Sequence, residues 1–306
     1  MKKKILVALD DSVNSFLSLE YTAHLFAQQH DIEICILHCE SSTGAFIEPE
    51  DPENSLMPER PLSKGIVKGS RLLEKGHQKL IDLQIPTERI SKLHHRASVI
   101  ASSIQQVAEK NLVDSLVIAR RGVGFVGELL LGSVSSSLFD SCHSIPLWII
   151  DGEITSKKFL VPVDGTPSSL MAIDHLSHIF AGRKDLTFFL FHARGFLAPP
   201  PSCRPEDFYD RWGKDWCDQN LSGNGCMFTG PTELLTEAGI PKECIITLPQ
   251  PKALEESTAI ISSARKNDCG TIVIGRRPAG ESKGFLGGVA KRTIMQTEDL
   301  ALWVVG

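Results

Sequence analysis

The sequence has few features of a nucleic-acid-binding or membrane protein. Its formal net charge is −5 and its only basic run is Lys2 to Lys4, so broad nucleic-acid binding is not expected. No stretch approaches the about 18 apolar residues that a membrane-spanning helix needs, and the amino terminus MKKKILVALDD becomes acidic too early for a signal peptide. We therefore expect a soluble, cytoplasmic protein without a nucleic-acid or membrane partner.

The cysteine pattern also excludes some site types. None of the eight cysteines forms a CxxC pair. Cys203, Cys217 and Cys226 share one segment, but their gaps are irregular and no matching histidine set lies nearby, as a zinc site would require. We therefore expect reduced thiols and no metal site.

An internal repeat dominates the sequence. KKILVALDDS at residues 3–12 matches KKFLVPVDGT at 157–166, and LVIARRG at 116–122 matches IVIGRRP at 272–278. ILHC at 36–39 and PLWII at 146–150 match LFHA at 190–193 and ALWVV at 301–305. The offset stays between 154 and 156 residues. Such regularity predicts a tandem duplication with domains at residues 1–151 and 156–306.

Each half alternates buried strands with amphipathic helices. Apolar runs at residues 5–9, 32–37, 115–119 and 147–150 predict strands, and weaker runs at 90–94 and 244–248 add one strand to each half. Ser12 and Thr166 are candidate N-caps of the first helices. The pattern predicts an α/β fold of two doubly wound, five-stranded parallel sheets with about four helices each. Insertions at 40–64 and 194–229 are expected to be loops with a short helix.

Candidate ligand-binding residues follow the strands of the first half. In open parallel sheets, ligands bind beyond the carboxyl ends of the strands. Asp10 ends the first strand, Cys39 the second, and Gly122 follows the fourth. Gly132 and Ser133 open the last helix, whose amide groups and hydroxyl suit a phosphate. A Walker motif and a dinucleotide-binding GxGxxG are absent, so an anion site and a purely structural role for Asp10 both stay open.

The spacing of the glycines after the fourth strand is specific enough to indicate a family. Ala119-x2-Gly122-x9-Gly132-Ser133, preceded by LVALDDS, resembles the GxxGx9G[S/T] signature of the universal stress protein family, and the whole chain resembles its tandem form. The resemblance implies two adenine nucleotide alpha hydrolase-like domains that form a pseudo-dimer through residues 147–149 and 302–304. It implies ATP, with or without Mg²⁺, as ligand. The nucleotide-binding residues it implies are Ala8, Asp10, Cys39, Ile118, Ala119, Gly122, Gly132, Ser133 and Val134.

The two halves depart from this signature to different degrees. In the first, Ala119 replaces the first glycine and Ala8 a common proline. In the second, Pro278 replaces the second glycine and Val289 the hydroxyl residue, which removes a backbone donor and a phosphate ligand. We therefore predict that the nucleotide binds mainly to the first half.

The resemblance implies a nucleotide-binding regulatory protein of the stress response rather than an enzyme. The alternatives are a slow ATP hydrolase, for which Asp11, Arg120 and Arg121 are the nearby candidates, and a scaffold protein with a vestigial site. No catalytic residue is assigned. A homodimer and an unknown protein partner both stay open.

Several other residues have structural interpretations. His38 and His192 occupy one repeat position and are expected to be hydrogen-bonded core histidines. Phe208, Trp212 and Trp216 have the spacing of one helical face that covers the sheet. The repeated arginine pairs, 120–121 and 276–277, are interpreted equally well as phosphate-steering or as solvated.

Overall fold

A single ten-stranded sheet runs through the protein. The structure is a computed structural model that describes residues 2–41, 64–122, 131–195, 203–223, 226–276 and 288–306, apart from the side chains of 64–66. The first half contributes β1 (Lys3–Ala8), β2 (Ile32–Ser41), β3 (Ile90–Ala97), β4 (Ser115–Ala119) and β5 (Leu147–Ile150). The second contributes β6 (Lys158–Pro162), β7 (Thr187–Phe191), β9 (Ile245–Thr247), β11 (Thr271–Gly275) and β12 (Ala301–Val305). A separate pair of short parallel strands consists of β8 (Arg194–Gly195) and β10 (Lys252–Ala253).

The strand order shows the duplication directly. It reads β3-β2-β1-β4-β5-β12-β11-β6-β7-β9, so the order of the first half recurs in reverse in the second. Every neighbouring pair within a half is parallel, whereas β5 and β12 pair antiparallel at the centre. The predicted pairing of the last strands is therefore confirmed, and it joins the two halves into one continuous pseudo-dimeric sheet.

Helices cover both faces of this sheet. One face carries α1 (Val13–Phe26), α2 (Lys64–Asp82), α5 (Pro167–Ile179) and α8 (Cys226–Glu237). The other carries α3 (Ile100–Lys110), α4 (Ser133–Ser141), α9 (Glu256–Lys266) and α10 (Val289–Gln296). The strands are apolar at successive positions because both of their faces are buried: Ile5 and Val7 face one layer, and Leu6 faces the other.

The N-caps of the first helix in each half are confirmed. The Ser12 hydroxyl accepts a hydrogen bond from the Ser15 amide at 3.2 Å, and the Thr166 hydroxyl accepts one from the Ser169 amide at 3.4 Å. Both residues have extended backbone angles, as an N-cap requires. These caps fix where the chain turns from strand into helix at the carboxyl edge of the sheet.

The second insertion is more ordered than the sequence predicted. It contains β8, α6 (Tyr209–Trp212), α7 (Lys214–Asn220) and the start of α8. Phe208, Trp212 and Trp216 pack against the core, but not from one helix, because Gly213 adopts φ 79° and separates α6 from α7. Most of the first insertion, residues 42–63, lies outside the described residues.

A disulfide in this insertion contradicts the expectation of reduced thiols throughout. Cys203 and Cys226 are bonded, which closes a segment with a sequence separation of 23 residues. The sequence did not reveal the pair because the segment between them folds back through two short helices. The other six cysteines are free and buried.

In the described parts of the chain, no helix is both long and apolar enough to cross a membrane.

Candidate functional site

Asp10 lies at the carboxyl edge of the sheet, directly after β1, where it organises the turn into α1. Its Oδ1 accepts hydrogen bonds from the Ser12 amide at 3.1 Å and from the Ser12 hydroxyl. Its backbone carbonyl accepts from the Ser15 hydroxyl at 2.6 Å. The predicted structural role of Asp10, hydrogen bonding within the turn, is therefore confirmed. The other carboxylate oxygen, Oδ2, lies against Gly122, where a Cβ atom would overlap it.

Two glycines bring the end of β4 and the start of α4 together. The Gly132 amide donates to the Arg120 carbonyl at 3.0 Å. A Cβ on Gly132 would lie 3.2 Å from that carbonyl oxygen and 3.7 Å from the Gly122 amide nitrogen, so the two segments approach too closely for a larger residue without adjustment. Gly122, Gly132 and Asp10 thus converge on one point at the edge of the sheet.

The amino end of α4 points outward from this point. Gly132 is its N-cap, and among the described residues no side chain caps the helix. The first amide groups of a helix have no partner within it, so those of Ser133, Val134 and Ser135 are the donors left for an external group. Ser133 is exposed and adds a hydroxyl. The arrangement therefore offers backbone amides, a hydroxyl and the positive end of a helix dipole to an anion.

The other hydroxyls after Gly132 have different roles. The Ser135 side chain is 5% exposed and donates to the Ala119 carbonyl at 2.8 Å, which ties α4 to the end of β4. Ser135 was missed as a site residue because its direction relative to β4 depends on how the helix docks. Leu131 packs against the core, while residues 129 and 130 lie outside the described residues.

The remaining predicted residues border the same edge at different depths. The Ile118 side chain is 3% exposed, so it belongs to the core and leaves only its main chain at the edge. Ala8 and Val134 are partly buried against the core layer of α4. Cys39 lies further along, on β2 opposite His95, and its burial raises the pKa of the thiol to about 11. Cys39 is therefore a neutral, largely buried group at neutral pH.

The two repeated histidines are hydrogen-bonded structural residues, as expected. His38 Nδ1 lies 2.9 Å from the Leu9 carbonyl, and His192 Nδ1 lies 2.7 Å from the Val163 carbonyl. Since a carbonyl only accepts, Nδ1 carries the proton in both rings. Each ring therefore supports the residue before the strand-end aspartate of its own half.

Neither arginine of the first pair is positioned to steer phosphates. Arg120 is 1% exposed, and its Nη1 lies 3.0 Å from Asp151 Oδ2. Arg121 Nη2 lies 2.7 Å from the other oxygen of the same carboxylate. Asp11, the third hydrolase candidate, forms an ion pair with Lys68 at 3.4 Å. The structure therefore joins the arginines to Asp151 at the end of the first half, and Arg277 lies outside the described residues.

The second half has the same turn but tighter packing at the end of β11. Asp164 forms the same turn as Asp10, with Oδ1 accepting from the Thr166 amide at 3.1 Å and the Thr166 hydroxyl at 2.6 Å. At the end of β11, however, a Cβ on Gly275 would overlap the Ser168 carbonyl of α5. Its first-half counterpart, Ala119, has a Cβ, and both residues are intermediate in exposure. The first turn of α5 therefore lies closer to the end of β11 than a residue with a Cβ allows, whereas the first half accommodates the Ala119 methyl group at this position. Val289 begins α10, whereas Pro278 lies outside the described residues.

Within the described residues, no group of three or more His, Cys, Asp or Glu side chains has the arrangement of a metal site. Two of the three cysteines considered as zinc ligands form the disulfide instead.

Comparison with known proteins connects this geometry to a family. Residues 1–150 match the model of the universal stress protein family. The crystal structure of a universal stress protein from Archaeoglobus fulgidus DSM 4304 superposes with a TM-score of 0.62 at 16% identity, covering 99% of this chain and 95% of that one. A putative universal stress protein from Pseudomonas aeruginosa UCBPP-PA14 gives a TM-score of 0.59 at 17% identity, covering 99% and 93%. At these identities the structural matches establish the fold alone. No curated protein sequence matches the chain.

Proposed function

Since residues 1–150 belong to the universal stress protein family and the second half repeats their fold, we propose that the chain is an adenine-nucleotide-binding regulatory protein of the stress response. The nucleotide is ATP, held mainly by the first half. The observation that carries the proposal is the convergence of Asp10, Gly122 and Gly132 beside the start of α4, which no side chain among the described residues caps.

In the proposed complex, the triphosphate lies against the amino end of α4. The backbone amides of 133–135 and the Ser133 hydroxyl bind its oxygens, and Gly132 lets the chain approach closely. The adenosine part lies toward Asp10 and the end of β2. The tight packing of α5 on Gly275 and the absence of a hydroxyl at Val289 support assigning the ligand to the first half.

We propose binding and regulation rather than rapid hydrolysis. Phosphoryl transfer requires a cationic clamp and a residue that orients water. Arg120 and Arg121 both contact the Asp151 carboxylate, which draws them away from such a role. Any ATP turnover by the protein is therefore expected to be slow.

Native mass spectrometry of the purified protein tests this function most simply. A mass increment of one adenine nucleotide per chain, retained through buffer exchange and increased by added ATP, supports it. Steady release of ADP well above the spontaneous rate supports the hydrolase instead. If the protein carries no nucleotide and takes up none from added ATP, the proposal is refuted. That result supports the alternative of a scaffold protein with a vestigial site.

A further inference from the structure

Arg120 and Arg276 occupy equivalent repeat positions, and both are buried. Each follows the last residue of an inner strand, Arg120 after β4 and Arg276 after β11. They are 1% and 9% exposed. Guanidinium groups are almost never buried without partners, so their contacts indicate what the two positions do.

Each arginine crosses the central junction and contacts the last helix of the other half. Arg276 donates from Nη1 to the Phe139 carbonyl and from Nη2 to the Cys142 carbonyl, both at the carboxyl end of α4. Arg120 Nη2 lies 3.4 Å from the Met295 carbonyl in the last turn of α10. Phe139 and Met295 are themselves equivalent in the repeat. The carbonyls at a helix end lack partners within the helix, so each half supplies a donor to the other.

The two arginines differ in how their positive charge is balanced. Arg120 is neutralised by the buried carboxylate of Asp151 at 3.0 Å. For Arg276, no ion pair occurs within the described residues; its contacts are the two carbonyls and the face of the Phe139 ring, 5.8 Å from the guanidinium carbon. An arginine stays protonated in proteins, so this charge acts on the negative end of the α4 dipole.

We infer that Arg276, a residue of the second half, is a positioning residue for the nucleotide site of the first half. This inference rests on the proposed function, in which the opposite end of α4 binds the phosphates. Arg276 fixes α4 at its carboxyl end, so that the amides of 133–135 are held in place before the ligand arrives. A half that lacks the phosphate-binding hydroxyl at Val289 thereby still contributes to nucleotide binding.

Comparing ligands with and without phosphates tests the inference. ATP and adenosine are titrated by calorimetry into the full chain and into Arg276→Gln, Arg276→Lys and Arg265→Gln. Arg265 is an exposed arginine of α9 in the same half, so it is a matched control for the loss of one positive charge. Hydrogen exchange of the amides at the start of α4 is measured on the same proteins without ligand.

We expect the loss of affinity to affect only the ligand that carries phosphates. Arg276→Gln weakens ATP binding about tenfold, leaves adenosine binding unchanged and speeds exchange at the start of α4. Arg276→Lys keeps the positive charge but lacks the two Nη groups that donate to separate carbonyls, so it gives an intermediate ATP affinity. Arg265→Gln matches the unaltered chain in every measurement.

Two other results overturn the inference in distinguishable ways. If the unaltered chain binds ATP and Arg276→Gln binds it equally well, or loses ATP and adenosine affinity in parallel, Arg276 has no positioning role although the proposed function stands. If the unaltered chain does not bind ATP, the proposed function fails and the inference fails with it.

Discussion

The indole rings of Trp148 and Trp303 stack face to face at the centre of the sheet, with centroids 3.6 Å apart and planes 3° apart. The two residues are directly opposite in the antiparallel β5·β12 pair, and both are fully buried. Such a pair buries the largest side chains of the protein at the point where the halves meet. The junction is therefore part of the core rather than a contact between two independent domains.

Removing either indole should destabilise the whole chain. Trp148→Ala and Trp303→Ala are each expected to cost about 3–5 kcal/mol of unfolding free energy, measured by urea denaturation, because each leaves a large cavity. The double variant should lose less than the sum, since both changes remove the same stacked contact. Leu254→Ala, at a residue 96% exposed, is the control and should have no effect. Strict additivity would contradict a shared contact.

The polar groups around this junction predict a loss of stability in acid. His175 Nε2 lies 3.3 Å from Trp148 Nε1 and 3.2 Å from the Ser115 hydroxyl, and burial lowers the pKa of His175 to about 3. In the unfolded chain the pKa of a histidine is about 6.5, so between these values the unfolded state binds the extra proton. Stability should be constant above that range and fall as the pH decreases through it.

His175→Gln separates this effect from general acid denaturation. The variant is expected to be less stable at pH 7.5, because Gln fits the site of the ring less well. Its unfolding free energy should then fall less between pH 7.5 and pH 4.5 than that of the unaltered chain, as followed by urea titration. An equal fall in the two proteins would assign the acid sensitivity to other groups.

The end of the first repeat should be sensitive to the loss of the negative charge of Asp151. Asp151 is 3% exposed and holds both Arg120 and Arg121. Asp151→Asn leaves the Arg120 charge buried without its counter-ion, which is expected to cost about 3–5 kcal/mol in urea denaturation. Glu33→Gln, which breaks the surface pair with Lys2, should produce no measurable change. A small loss for Asp151→Asn would mean that water reaches Arg120.

Oxidation should stabilise the second insertion. The Cys203–Cys226 disulfide constrains the unfolded chain, so Cys203→Ser is expected to lower stability by about 2–4 kcal/mol under oxidising conditions. With an excess of dithiothreitol, the variant and the unaltered chain should unfold alike. Mass spectrometry of protein alkylated in denaturant without reductant checks the pairing: six alkylated cysteines are expected, because the six buried free thiols become accessible on unfolding.

The repeat made much of this fold predictable from sequence. The apolar runs at 115–119 and 147–150 coincide with β4 and β5, because buried parallel strands need continuous apolar residues. The resemblance to the universal stress protein family correctly implied that LWII and LWVV form the central pair. The strand at 244–248 is shorter than predicted, Ile245–Thr247, and the two prolines of 249–251 separate it from β10.

Contacts between distant segments were not predictable in the same way. The alignment equates Tyr21 with His175 and Ser115 with Thr271. In the structure Tyr21 forms a hydrogen bond with Thr271 at 2.8 Å, and His175 forms one with Ser115, but nothing in the alignment indicates these contacts. These pairs form across the junction, so they depend on how the halves dock. The crossing arginines were missed for the same reason, whereas the disulfide was missed because it depends on how the second insertion folds back on itself. Asp10, Gly122 and Gly132 were found because strand ends and helix starts place them by local geometry alone.

Isothermal titration of ATP into the full chain and three variants tests the nucleotide site most directly. The structure predicts one site per chain, with affinity strongly reduced in Asp10→Ala and reduced several-fold in Ser133→Ala, because each removes a group from the convergence at the start of α4. Asp164→Ala, the same change in the second half, should bind like the unaltered chain. Unchanged binding in both first-half variants, together with lost binding in Asp164→Ala, would contradict the assignment.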